Sequence, residues 1–563
     1  MSKSTPMKNT ATLLFYVVFL ISPWLVINPA AVAQVGACEE GTAQAILETG
    51  NIRARMYNNG PLFWKPGNQP LYEAPKGGRV QAMFASTMMI GGLINGELHM
   101  SASTYGPYEF WPGPLDADGN PPADCNQYDH IWEINNNDFV QFESDGTFSS
   151  NMLSWPWQLG APVVDGDGNP DNYNLEGGDR PELLGHQTLW WVMNDRGNEH
   201  LWSEIDPIGI EVRASTYAFN FVSEIADITF YRYTLLNKNT KPLTNAFLGM
   251  WADPDLGNAS DDYFGSDSLL HLGYIYNGDD LDENAYKDQP PAIGYTFLKT
   301  PEADIDLIDN DHDGQIDESN ELAGMHAAIE YSGGGGPFND PFDGIGIYNN
   351  MQGLWLDGVP YTYGGFGRNY SNSITRFLFT GDPLTQSFWT PFRFTPDAES
   401  PLSPTDKRIM MSSGPFTLPP GESEEFLIAL VWAQGVNHLD SVRKLKNIVA
   451  NLQLTPGRYL TTGYQPGLLE VSPESAFVLG FDQNFPNPFN RNTTLRYSLP
   501  KTMQVRLAVY DLLGREISIL TQGSKEAGIY TEEFNGANLP AGIYFARLQL
   551  DHLQFSKMMI RAE

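Results

Sequence analysis

"ITFYRYTLL" (Ile228–Leu236) and "FLIALVW" (Phe426–Trp432) decide the fold class of this chain. In the first, aromatic and aliphatic residues alternate with Thr and Arg, the two-residue period of a half-buried strand. In the second, apolar residues run without a break, as in a strand covered on both faces. Its surroundings, "SGPFTLPPGESEEFLIALVWAQG", read as strand, Pro-Gly turn, strand. Between Gly41 and Gln453 similar short runs recur, broken by Gly, Asn, Asp and Pro. The 54 glycines and 40 prolines supply the turns that such a β-rich chain needs. Clear helices are few. Leu439, Val442, Leu445, Ile448, Val449 and Leu452 keep a three-to-four spacing, with Asn437 as cap and Pro456-Gly457 as stop. The expectation is a mainly β protein whose body closes on one helix.

The chain has 563 residues, too many for one ordinary core. Its 33 basic and 68 acidic residues leave a net charge of -35, a field that repels nucleic acid and anionic lipid and attracts divalent cations. Lys3 and Lys8, the apolar run Leu13–Ile27 and the Ala31-Val32-Ala33 site read as a signal peptide over residues 1–33. The run is too short for a membrane span of ~20 residues, so no transmembrane segment is expected in the mature chain. Cleavage removes two lysines and no acids, moving the charge to -37. Val35-Gly36-Ala37-Cys38 resembles a lipobox but lies 11 residues beyond the apolar run, too far for a lipid anchor. In an oxidising compartment Cys38 and Cys125 are expected to pair, with two free thiols as the alternative.

A Pro/Gly/Ser/Thr-rich connector spans 455–475 and separates a body, 34–454, from a final segment, 476–563. The body has room for two subdomains. The final segment opens on "FDQNFPNPFNRNTTLRYSLP". Pro486 and Pro488 fix φ and hold the chain extended, which makes a stiff lead-in to the strand after it. Short strands then follow at intervals of ~8–12 residues, the spacing of a small β-sandwich. The series "QNFPNPFN", "TTLRYSLP", "VRLAVYDLLGREI", "LPAGIYFARL" and "KMMI" resembles the type A C-terminal sorting domain of the type IX secretion system. The resemblance implies an Ig-like sandwich that the outer-membrane translocon recognises. It implies release of the cargo or its attachment to the cell surface, in a Gram-negative bacterium of the Bacteroidetes or an allied group. The residues that carry it are Pro486, Asn487, Pro488, Phe489, Asn490, Tyr510, Asp511, Gly514, Gly542 and Tyr544. The body resembles a group of large, mostly uncharacterised secreted proteins with the same sorting domain. The shared stretches include "FWPGPLDADG" (Phe110–Gly119), "CNQYDHIW" (Cys125–Trp132), "LWWVMNDRGN" (Leu189–Asn198), "DPIGIEV" (Asp206–Val212) and "MWADPDLGNASDDYFGSD" (Met250–Asp267). That resemblance implies no catalytic activity.

The most specific chemical motif is "DNDHDGQIDESNE". Asp309, Asp311 and Asp313 fall at positions 1, 3 and 5 of a calcium loop, Gln315 offers its carbonyl at 7, and Asp317 stands at 9. Asn320 replaces the usual bidentate Glu at 12, a gap that Glu318 or Glu321 could fill. Without flanking helices the loop would be a structural Ca²⁺ site; the alternative is an acidic surface loop. A weaker candidate is "VVDGDGNPDNYN", with Asp165, Asp167, Asn169 and Asp171, where hairpin turns are the competing reading. Asp116, Asp118 and Asn120 read as a turn. The "DPDLGNASDDYFGSD" stretch is either a metal or carboxylate site or a solvated loop. Enzyme signatures are missing: there is no H-E-x-x-H, G-x-S-x-G or Walker loop, and "SGGGGPFND" lacks the Lys of a phosphate loop. Trp190, Trp191 and Trp251 are expected in the core. Three functions fit: an exported, calcium-stabilised structural or binding protein; a secreted polysaccharide hydrolase using carboxylates of the Asp-rich loops; and an adhesin that binds a glycan.

Overall fold

The two diagnostic strands lie side by side. In the computed structural model, Ile228–Asn237 runs antiparallel to Ser423–Ala433, with Phe230 opposite Ala429 and Tyr233 opposite Phe426. The structure describes residues 36–454 and 480–562, apart from 222, 284, 306–309, 311–320, 332–334, 387–388, 397–399, 482–483, 485, 500–501, 513, 527 and 551–552. The signal segment, the connector 455–475 and the whole set Asp309, Asp311, Asp313, Gln315, Asp317 and Glu318 therefore lie outside the described residues.

Two large antiparallel sheets build the body, each with nine strands among the described residues. The first runs in space Gln44–Leu47, Arg53–Tyr57, Pro61–Leu62, Ala85–Ile94, Leu243–Asp253, Arg408–Leu418, Ala327–Tyr331. The second runs Asp262–Asp267, Leu272–Asn277, Ala292–Lys299, Ser423–Ala433, Ile228–Asn237, Ile210–Ala218, Gln187–Asn194, Trp111–Pro112. Short strands complete both. Met88, Met250, Trp251 and Met411 of the first sheet share one buried cluster with Trp191, Tyr231, Tyr295 and Ile428 of the second. The sheets are thus the two layers of a sandwich. They approach so closely that a Cβ on Gly273 would lie 2.6 Å from the Met411 sulfur.

The unbroken apolar run has its explanation here. Phe426, Ile428, Leu430 and Trp432 point into the sandwich. Leu427, Ala429, Val431 and Ala433 point the other way, into a second cluster with Val442, Leu445 and Val449. Those three residues come from a helix over His438–Leu454, capped by Asn437, whose Oδ1 accepts from the Asp440 N–H at 2.8 Å. Each large aliphatic side chain so buried contributes on the order of 2 kcal/mol. The neighbouring strand shows where that cover stops. Ile228 and Phe230 still join the outer cluster. Further along the same face Arg232 pairs with Glu425 and Glu182, and Lys299 with Glu425.

The body holds more helix than the sequence suggests. Asn136–Asp145 and Ser150–Leu153 are helices whose Phe139 and Met152 pack with Trp155 on Trp190 and Val192 of the second sheet. Gly344–Met351 is another, lying on the first sheet, where Gly249 leaves room for the Met351 side chain. "GIGIYNNM" and "NNDFVQFESD" are poor helix formers by composition. Packing on a sheet and good caps hold them: Asn135 and Asp138 form a reciprocal capping box, and Asp343 accepts from the Gly346 N–H at 2.7 Å. Trp190, Trp191 and Trp251 are all core residues.

Cys38 and Cys125 form a disulfide with Cα atoms 5.5 Å apart, packed with Trp111. It closes a loop of 87 residues. Replacing both cysteines by alanine should lower unfolding stability by about 2–5 kcal/mol, read as a shift of the urea midpoint. A variant that unfolds at the parental midpoint would contradict this.

Residues 480–562 form a small β domain of seven described strands. Gly480–Phe481, Asn492–Leu499 and Gly528–Asn535 make one sheet. Glu516–Lys525, Met503–Asp511, Gly542–Leu550 and Leu553–Arg561 make the other, in that order. Burial alternates along Asn492–Leu499, so Thr493, Leu495, Tyr497 and Leu499 face inward. Leu495, Tyr497 and Leu499 meet Leu507, Val509, Leu548 and Met559 of the other sheet.

Candidate functional site

The Asn/Pro lead-in of the final domain is clamped to that domain's last described strand. Asn487 donates from Nδ2 to the Met558 carbonyl at 3.1 Å and accepts from the Ile560 N–H at 2.8 Å. Phe489, buried, donates its N–H to the Ile560 carbonyl and accepts from Ala562. Asn484 and Thr493 both donate to the Pro486 carbonyl, at 3.1 and 2.7 Å. The Asn487–Pro488 peptide is cis. Pro486, Pro488 and Asn490 stand exposed beside this clamp.

The other sorting residues gather elsewhere. Asp511 accepts from the Arg515 N–H at 2.9 Å and from its Nε at 2.7 Å, around a turn in which Gly514 takes a left-handed φ of 73°. Tyr544 donates to the Pro540 carbonyl at 3.0 Å. Asp511, Gly542 and Tyr544 line one surface cavity of about 320 Å³ with Leu512, which is 65% exposed. Tyr510 is not in that lining; it receives Arg506 and donates to Glu516.

In the body, two carboxylates bind distant backbone segments together, Asp195 from a buried position and Asp129 from a partly exposed one. Asp195 of "LWWVMNDRGN" accepts from the N–H groups of Ile208, Gly209 and Ile210 in "DPIGIEV", at 2.6, 3.0 and 2.7 Å. Burial pushes its pKa up, against the pull of His200, Arg196 and these N–H groups. Asp129 of "CNQYDHIW" accepts from Thr42, Ala43 and Asn58. Burial works to raise its pKa, but these bonds prevail and hold it below the usual range. Such roles are structural.

Of the second calcium candidate, Asp165 and Asp167 converge, and the third carboxylate that joins them is Asp179 and not Asp171. Val164 pairs with Arg180, so the two ends of the loop meet. The loop largely satisfies itself. Asp165 accepts from Gly168, Asp167 from Asn169 and Asn174, and Asp179 from Gly166 and Asn174. Asn169 accepts from the Asp171 N–H within the turn. These backbone bonds, Asn174 first, hold Asp179 below the usual carboxylate range. Asp116 caps its own turn by accepting from Asp118 and Asn120, as expected.

The Met250–Asp267 stretch overturns its solvated-loop reading. Asp253 is 4% exposed and Asp262 is wholly buried. Asp253, Asp255 and Asp406 bring one carboxylate oxygen each within 4.8 Å of the others. Burial first, then neighbouring acids, push Asp253 up to about 7 and Asp255 to about 6. Asp261 rises to about 7, and Asp262 well above its usual value. Sequence spacing reveals Asp253 and Asp255 as alternate residues. Asp406 was missed, because only the pairing of Ala252 with Ile409 brings it there.

The roomiest of the cavities described, about 630 Å³, lies between the His438–Leu454 helix and the Leu553–Arg561 strand. Of its carboxylates, Asp267 is paired with Lys446 at 3.0 Å.

Residues 483–561 match the family described as a secretion system C-terminal sorting domain. That assignment implies export to the cell surface or the extracellular space, and no described helix is long and apolar enough to cross a membrane. No curated protein matches the chain. Among solved structures, a polysaccharide lyase aligns at 9% identity and a TM-score of 0.23, over 71% of this chain and 39% of its own. The chain thus spans about two-fifths of that protein's length.

Proposed function

We propose that this is a surface or extracellular protein delivered by the type IX secretion system. Its final 476–563 segment is an Ig-like sorting domain for the outer-membrane translocon, and its body is a non-enzymatic, calcium-stabilised scaffold or binding module. The observation that carries the reading is the family match at 483–561, which covers the sorting residues from Pro486 to Tyr544. An Ig-like description is supported by two antiparallel sheets of three and four strands. For the body, a filled sandwich core and the Asp195 carboxylate spent on holding three backbone N–H groups support a scaffold.

Calcium enters through two loops: the Asp309 motif, on its spacing, and the Asp165, Asp167, Asp179 group, on its geometry. Saturating Ca²⁺ at about 100 times its Kd should stabilise the mature protein by about 2.7 kcal/mol per site. Differential scanning calorimetry in EGTA and in millimolar Ca²⁺ reads this as a rise in Tm. Asp309→Asn with Asp311→Asn, and separately Asp165→Asn with Asp167→Asn, should each shrink the rise. Identical melting in chelator and calcium would remove calcium from the reading. Export itself is tested by following where a chain without residues 476–563 accumulates.

A further inference from the structure

We propose that Asp253, Asp255 and Asp406 bind a hard divalent cation, Ca²⁺ by chemistry, at one end of the sandwich. The site shares no residue with the Asp165 and Asp309 motifs.

The first support is burial without partners. Oδ1 of Asp253 and Oδ1 of Asp406 are sealed from solvent and accept no hydrogen bond from any described residue. Asp253 spends its other oxygen on the Tyr105 hydroxyl, which donates at 2.6 Å. The Arg408 Nε stands 3.5 Å from the free Oδ1 and donates instead to the Tyr105 oxygen at 3.2 Å. A buried carboxylate oxygen whose one cation is a shared guanidinium beyond hydrogen-bond reach gains from a second, closer cation.

The second support is charge. Among the described residues Arg408 is the one cation paired with this group, and it is shared among Asp253, Asp340 and Asp406. Asp255 has no ion pair with any described residue. Four carboxylates thus face one guanidinium.

The third support comes from the adjoining strand pair. Asp262, close enough to Asp255 for their charges to repel, is wholly buried, and its Oδ1 also lacks a partner. Asn277 stands directly opposite Asp262 in the ladder, and its amide oxygen is equally buried and unpartnered. A neutral acceptor has no repulsion to explain its isolation. Carboxylate and amide oxygens with no sulfur or imidazole select a hard ion such as Ca²⁺, which takes six to eight oxygens and fills its remaining positions with water.

The test uses the mature secreted protein, stripped with EGTA and titrated with Ca²⁺ by calorimetry. Terbium gives a local probe, because Trp251 meets Tyr105 edge-on at 4.9 Å beside Asp253. The variant is Asp255→Asn, isosteric and only partly buried, so folding is preserved better than by changing Asp253. It should lose one bound Ca²⁺ per chain and most of the Trp-sensitised terbium emission that Ca²⁺ displaces. In EGTA it should melt no lower than the parent, since it removes a repelled charge. Asp165→Asn with Asp167→Asn should keep the terbium signal, even if it shows that loop to be calcium-free. Parental stoichiometry and emission in Asp255→Asn would overturn the site. So would a lower melting temperature in EGTA, which would make Asp255 a structural partner and not a ligand.

Discussion

A chain ending at residue 475 should accumulate in the periplasm and reach the cell surface or medium only at background level. Fractionation and immunoblotting read the result. The deletion removes the whole matched region, 483–561, and with it both motif clusters. One is the Asn487 and Phe489 clamp on the 558–562 backbone; the other is the cavity shared by Asp511, Gly542 and Tyr544. Both lie within the deleted segment, on strands of the final domain. The retained protein should still carry the Cys38–Cys125 disulfide, because both cysteines lie in the body. That control separates failed export from failed folding. Surface delivery of an oxidised, truncated chain at the parental level would refute the sorting role.

The largest single-residue effect on stability is expected at Asp195. This fully buried carboxylate accepts from three consecutive N–H groups, Ile208, Gly209 and Ile210. Asp195→Ala leaves all three donors buried without a partner, at about 1–3 kcal/mol each. Their sum is offset in part because the buried carboxylate's own desolvation cost is relieved, and a loss of roughly 3–6 kcal/mol is the expected result. Asp195→Asn should fall between parent and alanine, because its amide keeps one acceptor oxygen but turns an NH₂ toward the remaining donors. Urea denaturation of the secreted protein measures both. An alanine variant within 1 kcal/mol of the parent, a difference typical of an exposed site, would mean that water replaces the carboxylate.

The β architecture was legible because strand pattern depends on neighbours in sequence. "FLIALVW" is apolar throughout since both of its faces are dry, and "ITFYRYTLL" becomes alternating where the helix cover gives way to Arg232 and Glu425. The Gly344–Met351 helix was not legible. Its glycines and asparagines argue against a helix, and only the surface beneath Met351 decides for one. The acidic sites divide in the same way. Alternate aspartates such as Asp165 and Asp167, or Asp253 and Asp255, can be read from spacing. Their third partners cannot, because Asp179 arrives through a hairpin and Asp406 through a ladder between distant strands. Burial was equally hidden: an Asp-rich run looks solvated until the strands at its ends place Asp253 and Asp262 inside. The sequence's best calcium motif, at Asp309, lies outside the described residues.

The doubly covered Ser423–Ala433 strand ties the two buried clusters of the body to each other. One set of its side chains anchors the sandwich, and the alternate set anchors the His438–Leu454 helix. Peeling off the helix would strand apolar residues on a sheet that still holds the sandwich, and opening the sandwich would undercut the helix's floor, to which Leu427, Ala429 and Val431 contribute with Tyr274 and Ala292 of the neighbouring strands. Neither layer can be lost at little cost while the other stays. The body is therefore wired for cooperative, all-or-none unfolding rather than piecemeal fraying, a useful property for a protein that works beyond the reach of cytoplasmic chaperones.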